Sequence, residues 1–130
     1  MAEITRALMV RVGVDLAKQS IQVHAVDAAG RRVFAKALKR DQFLPWCATL
    51  PPGCLVAMEA CSGAHHWARE FEKFGHTVRL MAPKFVIPYR LSGKRGKNDA
   101  ADAAAICEAV TRPNMRFVPI KSTEQQGQLL

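Results

Sequence analysis

Residues 8–15 read Leu-Met-Val-Arg-Val-Gly-Val-Asp, and the fold turns on how they are read. Leu8, Val10, Val12 and Val14 alternate with Met9, Arg11, Gly13 and Asp15. A period of two sets one group of side chains on one face of a strand and the rest on the other. Ile21, Val23 and Ala25 repeat the pattern in a second strand, and a third occupies residues 32–38. Between these two, Asp27-Ala28-Ala29-Gly30 reads as a turn, with Gly30 at a position of positive φ. Connections this short make the three strands an antiparallel meander.

After residue 38 the pattern changes. Residues 41–50 read as a helix with Asp41 as N-cap and Phe43, Leu44 and Cys47 on its apolar side, ended by Pro51-Pro52-Gly53. Residues 54–58 are almost continuously apolar, as in a strand buried on both faces. Residues 64–74 are helical, with Trp67, Phe71 and Phe74 at i, i+4 and i+7 and Gly75 as the stop. Further along come a strand at 77–81, an alanine-rich helix at 98–111 and a last strand within 115–120. Ser122-Thr123-Glu124-Gln125 has the form of a new helix start. The order β-β-β-α-β-α-β-α predicts an α/β fold: a mixed sheet in which an antiparallel meander is followed by βα units, with helices on both faces. It is the order of the ribonuclease H-like fold and also of half an actin-like ATPase, and order alone does not choose between them.

Composition narrows the function. The chain has 130 residues, of which 49% are hydrophobic and 23% charged, values of one globular domain rather than a disordered chain. No apolar run approaches the roughly 20 residues of a membrane helix. Glu3, Arg6 and Arg11 break the N-terminal apolar stretch, so no signal peptide is expected there. Nineteen Lys and Arg stand against eleven Asp and Glu, a net charge of +8 that suits a polyanion such as nucleic acid. The basic residues cluster: Lys84, Arg90, Lys94, Arg95 and Lys97 fall in a stretch without an acid, as do Arg31, Arg32, Lys36, Lys39 and Arg40. The segment around Lys94, Arg95 and Lys97 is expected to contact phosphates and to order on binding. Cys47, Cys54, Cys61 and Cys107 form no Cys-x-x-Cys pair, so no zinc site is expected; they read as buried reduced thiols of a cytoplasmic protein. The adjacent His65 and His66 point in different directions on a helix and read as partly exposed structural residues.

Four acids stand in unusual places. Asp15 closes the first strand and Glu59 closes the strand at 54–58; strand ends are where α/β sheets bind ligands. Each alone reads more readily as a loop-capping acid. Asp99 and Asp102 are three apart on one helix face, which continues through Ala103, Ile106 and Val110 as the buried stripe. A helix-capping role accounts for one of these acids but not for both on an inward face. Four converging carboxylates would repel one another, and Mg²⁺ or Mn²⁺ would relieve that, since hard cations prefer oxygen ligands. Two such ions can clamp the attacking and leaving oxygens of a phosphodiester.

Three runs carry a family resemblance: Val12-Gly13-Val14-Asp15-Leu16-Ala17-Lys18, Met58-Glu59-Ala60-Cys61 and Lys97-Asn98-Asp99-Ala100-Ala101-Asp102-Ala103. They resemble the DEDD transposases of bacterial insertion sequences, a group that includes the Piv DNA invertase. Residues 114–120, Asn-Met-Arg-Phe-Val-Pro-Ile, are similar to the segment after the acidic helix in that family. The resemblance implies a RuvC-like, ribonuclease H-like catalytic domain with Asp15, Glu59, Asp99 and Asp102 as its catalytic, metal-holding acids. It implies Mg²⁺-dependent DNA cleavage and strand transfer during transposition, in a homodimer or tetramer. Some members use a structured noncoding guide RNA, so RNA joins DNA as a partner to consider.

Family members continue through a helical region into a C-terminal domain that supplies a nucleophilic serine. Residues 1–120 therefore read as the catalytic domain and 121–130 as the start of the helical segment leading to that further domain. Ser20, Ser62, Ser92 and Ser122 match no such serine context. Two other readings stay open: a basic nucleic-acid-binding or assembly module without activity of its own, and a fragment of an actin-like ATPase. The ATPase needs a second glycine-rich phosphate loop, whereas Gly93 and Gly96 stand singly among lysines and arginines.

Overall fold

The computed structural model describes residues 3–17, 19–90 and 99–128. Its centre is a six-stranded mixed sheet in the order β3-β2-β1-β4-β5-β6. The meander is β1 (Arg11–Leu16), β2 (Ile21–Val26) and β3 (Arg32–Leu38), each antiparallel to the next. β4 (Leu55–Glu59) and β5 (Thr77–Met81) continue the sheet in parallel, and the two-residue β6 (Phe117–Val118) closes it antiparallel to β5. The expected mixed sheet is thus observed, with β1 central between β2 and β4. The Asp27–Gly30 turn is also as expected: Gly30 has φ +83°, and Asp27 Oδ1 accepts the amides of Ala29 and Arg31.

Alternation along the strands assigns each residue to a layer. Val12, Val14, Val56 and Met58 face one way, into a core completed by Phe43 of α2 (Arg40–Ala48) and by Ala64, Trp67, Ala68 and Phe71 of α3 (Ser62–Lys73). Phe43 meets Trp67 and Phe71 edge-on, with centroids 5.1 and 5.3 Å apart. Ala57 faces the other way, into a smaller core with Ala105, Ile106, Ala109 and Val110 of α5 (Asp99–Ala109) and Val86 of α4 (Pro83–Val86). Helices cover both faces of the sheet.

Four expectations are corrected. The strand begins at Arg11, not Leu8: residues 3–8 form the short helix α1 (Glu3–Leu8), Met9 is buried, and Leu8 and Val10 are 50% and 42% exposed. Apolar alternation there reflects a helix end and a turn rather than strand. α2 starts one residue early, with Lys39 rather than Asp41 at the N-cap; the Lys39 amide donates to Gln42 Oε1 at 3.0 Å, so Gln42 meets the orphan N–H that a capping acid would not. Phe74 is exposed because α3 ends at Lys73, before the expected third position of the stripe. His65 is buried: its Nδ1 accepts the Lys121 amide at 3.0 Å, holding the chain just ahead of α6 (Thr123–Gln128) against α3. At that last helix the expected start is observed, and a reciprocal cap closes it, Ser122 Oγ accepting from the Gln125 amide and Gln125 Oε1 from the Ser122 amide.

Gly13 sets the spacing between β1 and α5. A Cβ built there would lie 2.3 Å from the Ala103 carbonyl oxygen and 2.5 Å from the Cys107 amide nitrogen. The helix therefore rests on the strand backbone to backbone, which is why its inner face is alanine-rich. Arg11 Nε donates to the Cys107 carbonyl at 2.9 Å and ties the same two elements. Because the neighbours at Gly13 are backbone atoms that no rotamer change can move, Gly13→Ala is expected to cost about 3 kcal/mol, the upper end of overpacking penalties. Gly30→Ala, strained in φ but with open space around it, is expected to cost about 1–2 kcal/mol. Urea unfolding of both variants checks this, and a Gly13→Ala cost below that of Gly30→Ala would contradict the seat of α5.

Candidate functional site

β1 and β4 run parallel with Val14 opposite Met58, so the next residue of each strand is an acid, Asp15 and Glu59. Both follow residues that face the α3 core, so alternation puts both on the α5 side. They line one cleft of about 170 Å³ with Leu16, Cys61 and Pro83. The N-terminal part of α5, seated by Gly13, brings Asp102 to the same region.

One guanidinium joins two of these acids. Arg90 follows the 3-10 turn Ile87–Tyr89. Its Nη2 lies 2.6 Å from Glu59 Oε2 and its Nε 3.4 Å from Asp102 Oδ1. The first contact is a charge-assisted hydrogen bond; the second is an ion pair without hydrogen-bond geometry, and Nε has no hydrogen-bond partner among the described residues. Burial pushes the Glu59 carboxyl above its ordinary value, Arg90 opposes this, and the Asp102 charge adds to it. The acids do sense one another, but the repulsion expected of them is offset by Arg90.

Among the described residues no group of three or more His, Cys, Asp or Glu side chains lies close enough to hold a metal ion as it stands. The donor chemistry nonetheless fits a hard divalent cation. Glu59 and Asp102 already share one positive group, and Asp15 lines the cleft with Glu59. Asp99 is the first residue of α5, and its side chain lies outside the described part.

Of the basic residues singled out from the sequence, Lys94, Arg95 and Lys97 fall outside the described residues. Lys84 is exposed, its Nζ 5.1 Å from the Phe85 ring centroid. It borders a groove of about 340 Å³ with Phe85, Tyr89, Arg112 and Asn114. Arg112 lies over the Tyr89 ring and pairs with Glu108 at 2.6 Å. Sequence reading missed two features. Arg90, grouped with the phosphate-binding bases, has its guanidinium on the acids, and no local signal marked it. Cys61 is an exposed thiol at the cleft rather than a buried one, because it precedes the first turn of α3, whereas Cys47, Cys54 and Cys107 are buried as expected. Burial raises the thiol of Cys54 to about 12. Among the described residues no helix is long and apolar enough to cross a membrane.

Comparison with known proteins identifies the family. The family of DEDD, IS110-type sequences described as "Transposase" matches residues 12–129. A "Probable family 20 transposase" of Pseudomonas aeruginosa is 59% identical over 117 residues, 90% of this chain and 33% of that protein. Transposases for the insertion sequence elements IS1328 of Yersinia enterocolitica and IS1111A of Coxiella burnetii are each 44% identical, over 89% and 88% of this chain and 34% and 30% of their own. The chain spans about a third of the length of these curated relatives. A family match over nearly the whole chain, on a mixed sheet with acids at its central strand ends, means that the chain belongs to the DEDD transposase family of insertion sequences.

Proposed function

We propose that this chain forms the catalytic domain of a DNA transposase, cleaving and joining phosphodiesters with Mg²⁺ or Mn²⁺ held by Asp15, Glu59, Asp99 and Asp102. The observation that carries this is the pairing of Glu59 and Asp102 around a single cationic group beside the cleft that Asp15 and Glu59 line. A divalent ion there would polarise a phosphate oxygen and lower the pKa of an attacking hydroxyl or water. The chain's own part is to hold the carboxylates: β1 and β4 present two of them at one level, and α5, packed on the same face of the sheet, carries the others in this reading. The basic segment 84–97 would hold the DNA backbone, with Lys84, Lys94, Arg95 and Lys97 as its phosphate contacts, while Arg90 lies on the acids.

Residues 1–120 form the catalytic unit in this reading, and residues 121–130 begin the helical segment that leads to a further domain. The greater length of the relatives supports assigning complete recombination to a longer protein. A homodimer or tetramer and a structured guide RNA enter on family resemblance alone, and a cytoplasmic location on the reading of the cysteines as reduced thiols.

Two measurements test the reading. Ligand that binds only the native state stabilises it by about 2.7 kcal/mol at a hundredfold excess over Kd, about 10 °C in Tm for a domain of this size. Mn²⁺ is therefore expected to raise Tm in wild type and in Asp27→Asn, a turn variant remote from the cleft. It is expected to raise Tm far less in Asp102→Asn. An equal rise in all three would remove Asp102 from the site, and no rise in any would favour a binding module without a metal. Replacing Lys94, Arg95 and Lys97 together with Ala is expected to flatten the log–log salt dependence of DNA binding by up to about three units, about one per contact; an unchanged slope would contradict the assignment of the basic segment.

A further inference from the structure

Glu59 and Asp102 come from different elements, β4 and α5, and among the described residues Arg90 is the cation that pairs with both. The three side chains are 18%, 14% and 27% exposed, so the cluster, which meets the cleft at Glu59, is partly open to solvent. Its two halves are unequal. The Glu59 contact at 2.6 Å is a full hydrogen bond; the Asp102 contact at 3.4 Å leaves a buried Nε unsatisfied among the described residues. A partly buried cation that satisfies only one of two carboxylates is held less firmly than a bidentate fork would be.

The guanidinium would also compete with a divalent ion for the same two acids. Glu59 Oε2, its partner, is one of the oxygens such an ion needs. A second positive group placed beside Arg90 in a half-buried site would be repelled, whereas exchange of one cation for the other keeps the two carboxylates neutralised. The segment that carries Arg90 is anchored elsewhere: Val86 is buried in the core, and the Tyr89 ring lies under Arg112, 5.2 Å from its guanidinium carbon. The side chain can therefore leave the acids without its backbone moving.

We propose that Arg90 is the resident cation of the acidic site: it holds Glu59 and Asp102 together in the metal-free domain and is expelled when a divalent ion enters. The inference rests on the metal reading above and adds that this chain sets its own metal affinity. A competing internal cation lowers apparent affinity by the fraction of molecules in which it is bound. Removing it strengthens metal binding while weakening the metal-free fold, a combination that a merely structural ion pair would not produce.

The test is calorimetric titration of MnCl₂ into the 130-residue chain, paired with melting curves with and without Mn²⁺. Arg90→Gln is expected to bind Mn²⁺ at least tenfold more tightly than wild type, about 1.4 kcal/mol. It is expected to melt below wild type without metal, and the gap is expected to close at saturating Mn²⁺, since Arg90 no longer touches the acids there. Arg90→Lys keeps the charge but loses the fork, and its affinity should fall between the two; it also serves if Arg90→Gln does not fold. Equal or weaker Mn²⁺ binding in Arg90→Gln, with wild type still binding through Asp102, overturns the role of Arg90 and leaves the metal reading standing. Binding in neither protein, or binding unaltered by Asp102→Asn, overturns both.

Discussion

The contact between the backbone of β1 at Gly13 and the backbone of α5 at Ala103 and Cys107 is the constraint on which the site depends. Helices usually pack on sheets through interleaved side chains, and an ordinary side chain at residue 13 would lift α5 from the strand. Without one, the helix descends until main-chain atoms touch. That fixes its height, and the alanines at 103, 105 and 109 preserve the fit along its length. Asp102 precedes one of the residues in that contact, so its position is set by the same spacing. An acid on a helix and an acid at a strand end can then meet one cation although Glu59 and Asp102 lie 43 positions apart in sequence.

Charge is arranged around that geometry. The chain carries a net +8, yet Asp15, Glu59 and Asp102 gather at the strand-end cleft and its α5 border. Positive charge outside attracts a phosphate backbone, and negative charge inside suits a divalent ion. Arg90 belongs to both sets: it comes after the outward Lys84 in chain order, yet its guanidinium lies on Glu59 and Asp102. Binding of the backbone and filling of the acidic site therefore need not be independent in this domain.

Much of the fold could be read from residue patterns. Period-two alternation located β2 and β3, and an apolar run located β4, because each strand buries at least one face. Positive φ at Gly30 came from its turn. Strand-end acids could be recognised because the parallel β1 and β4 put Asp15 and Glu59 at one level. The features that stayed hidden have a common cause: they depend on contacts between distant segments. Nothing local marks Gly13 as a seat for α5, since the helix that needs it is ninety residues away. Nothing local separates Arg90 from the other bases of its segment. His65 looked like half of a surface pair, and only the return of residue 121 to α3 buries it. Leu8 and Val10 show the opposite failure, a true alternation in residues that are not strand.

The central claim is that the strand-end acids form a metal site whose place in the metal-free domain is taken by Arg90. Anomalous scattering from crystals of the chain soaked in Mn²⁺ tests it most directly. The expected result is an anomalous peak roughly 2 Å from oxygens of Asp15, Glu59 and Asp102, with the Arg90 guanidinium turned away from both Glu59 and Asp102. No peak at these residues, or a peak there with Arg90 still bridging Glu59 and Asp102, would contradict it.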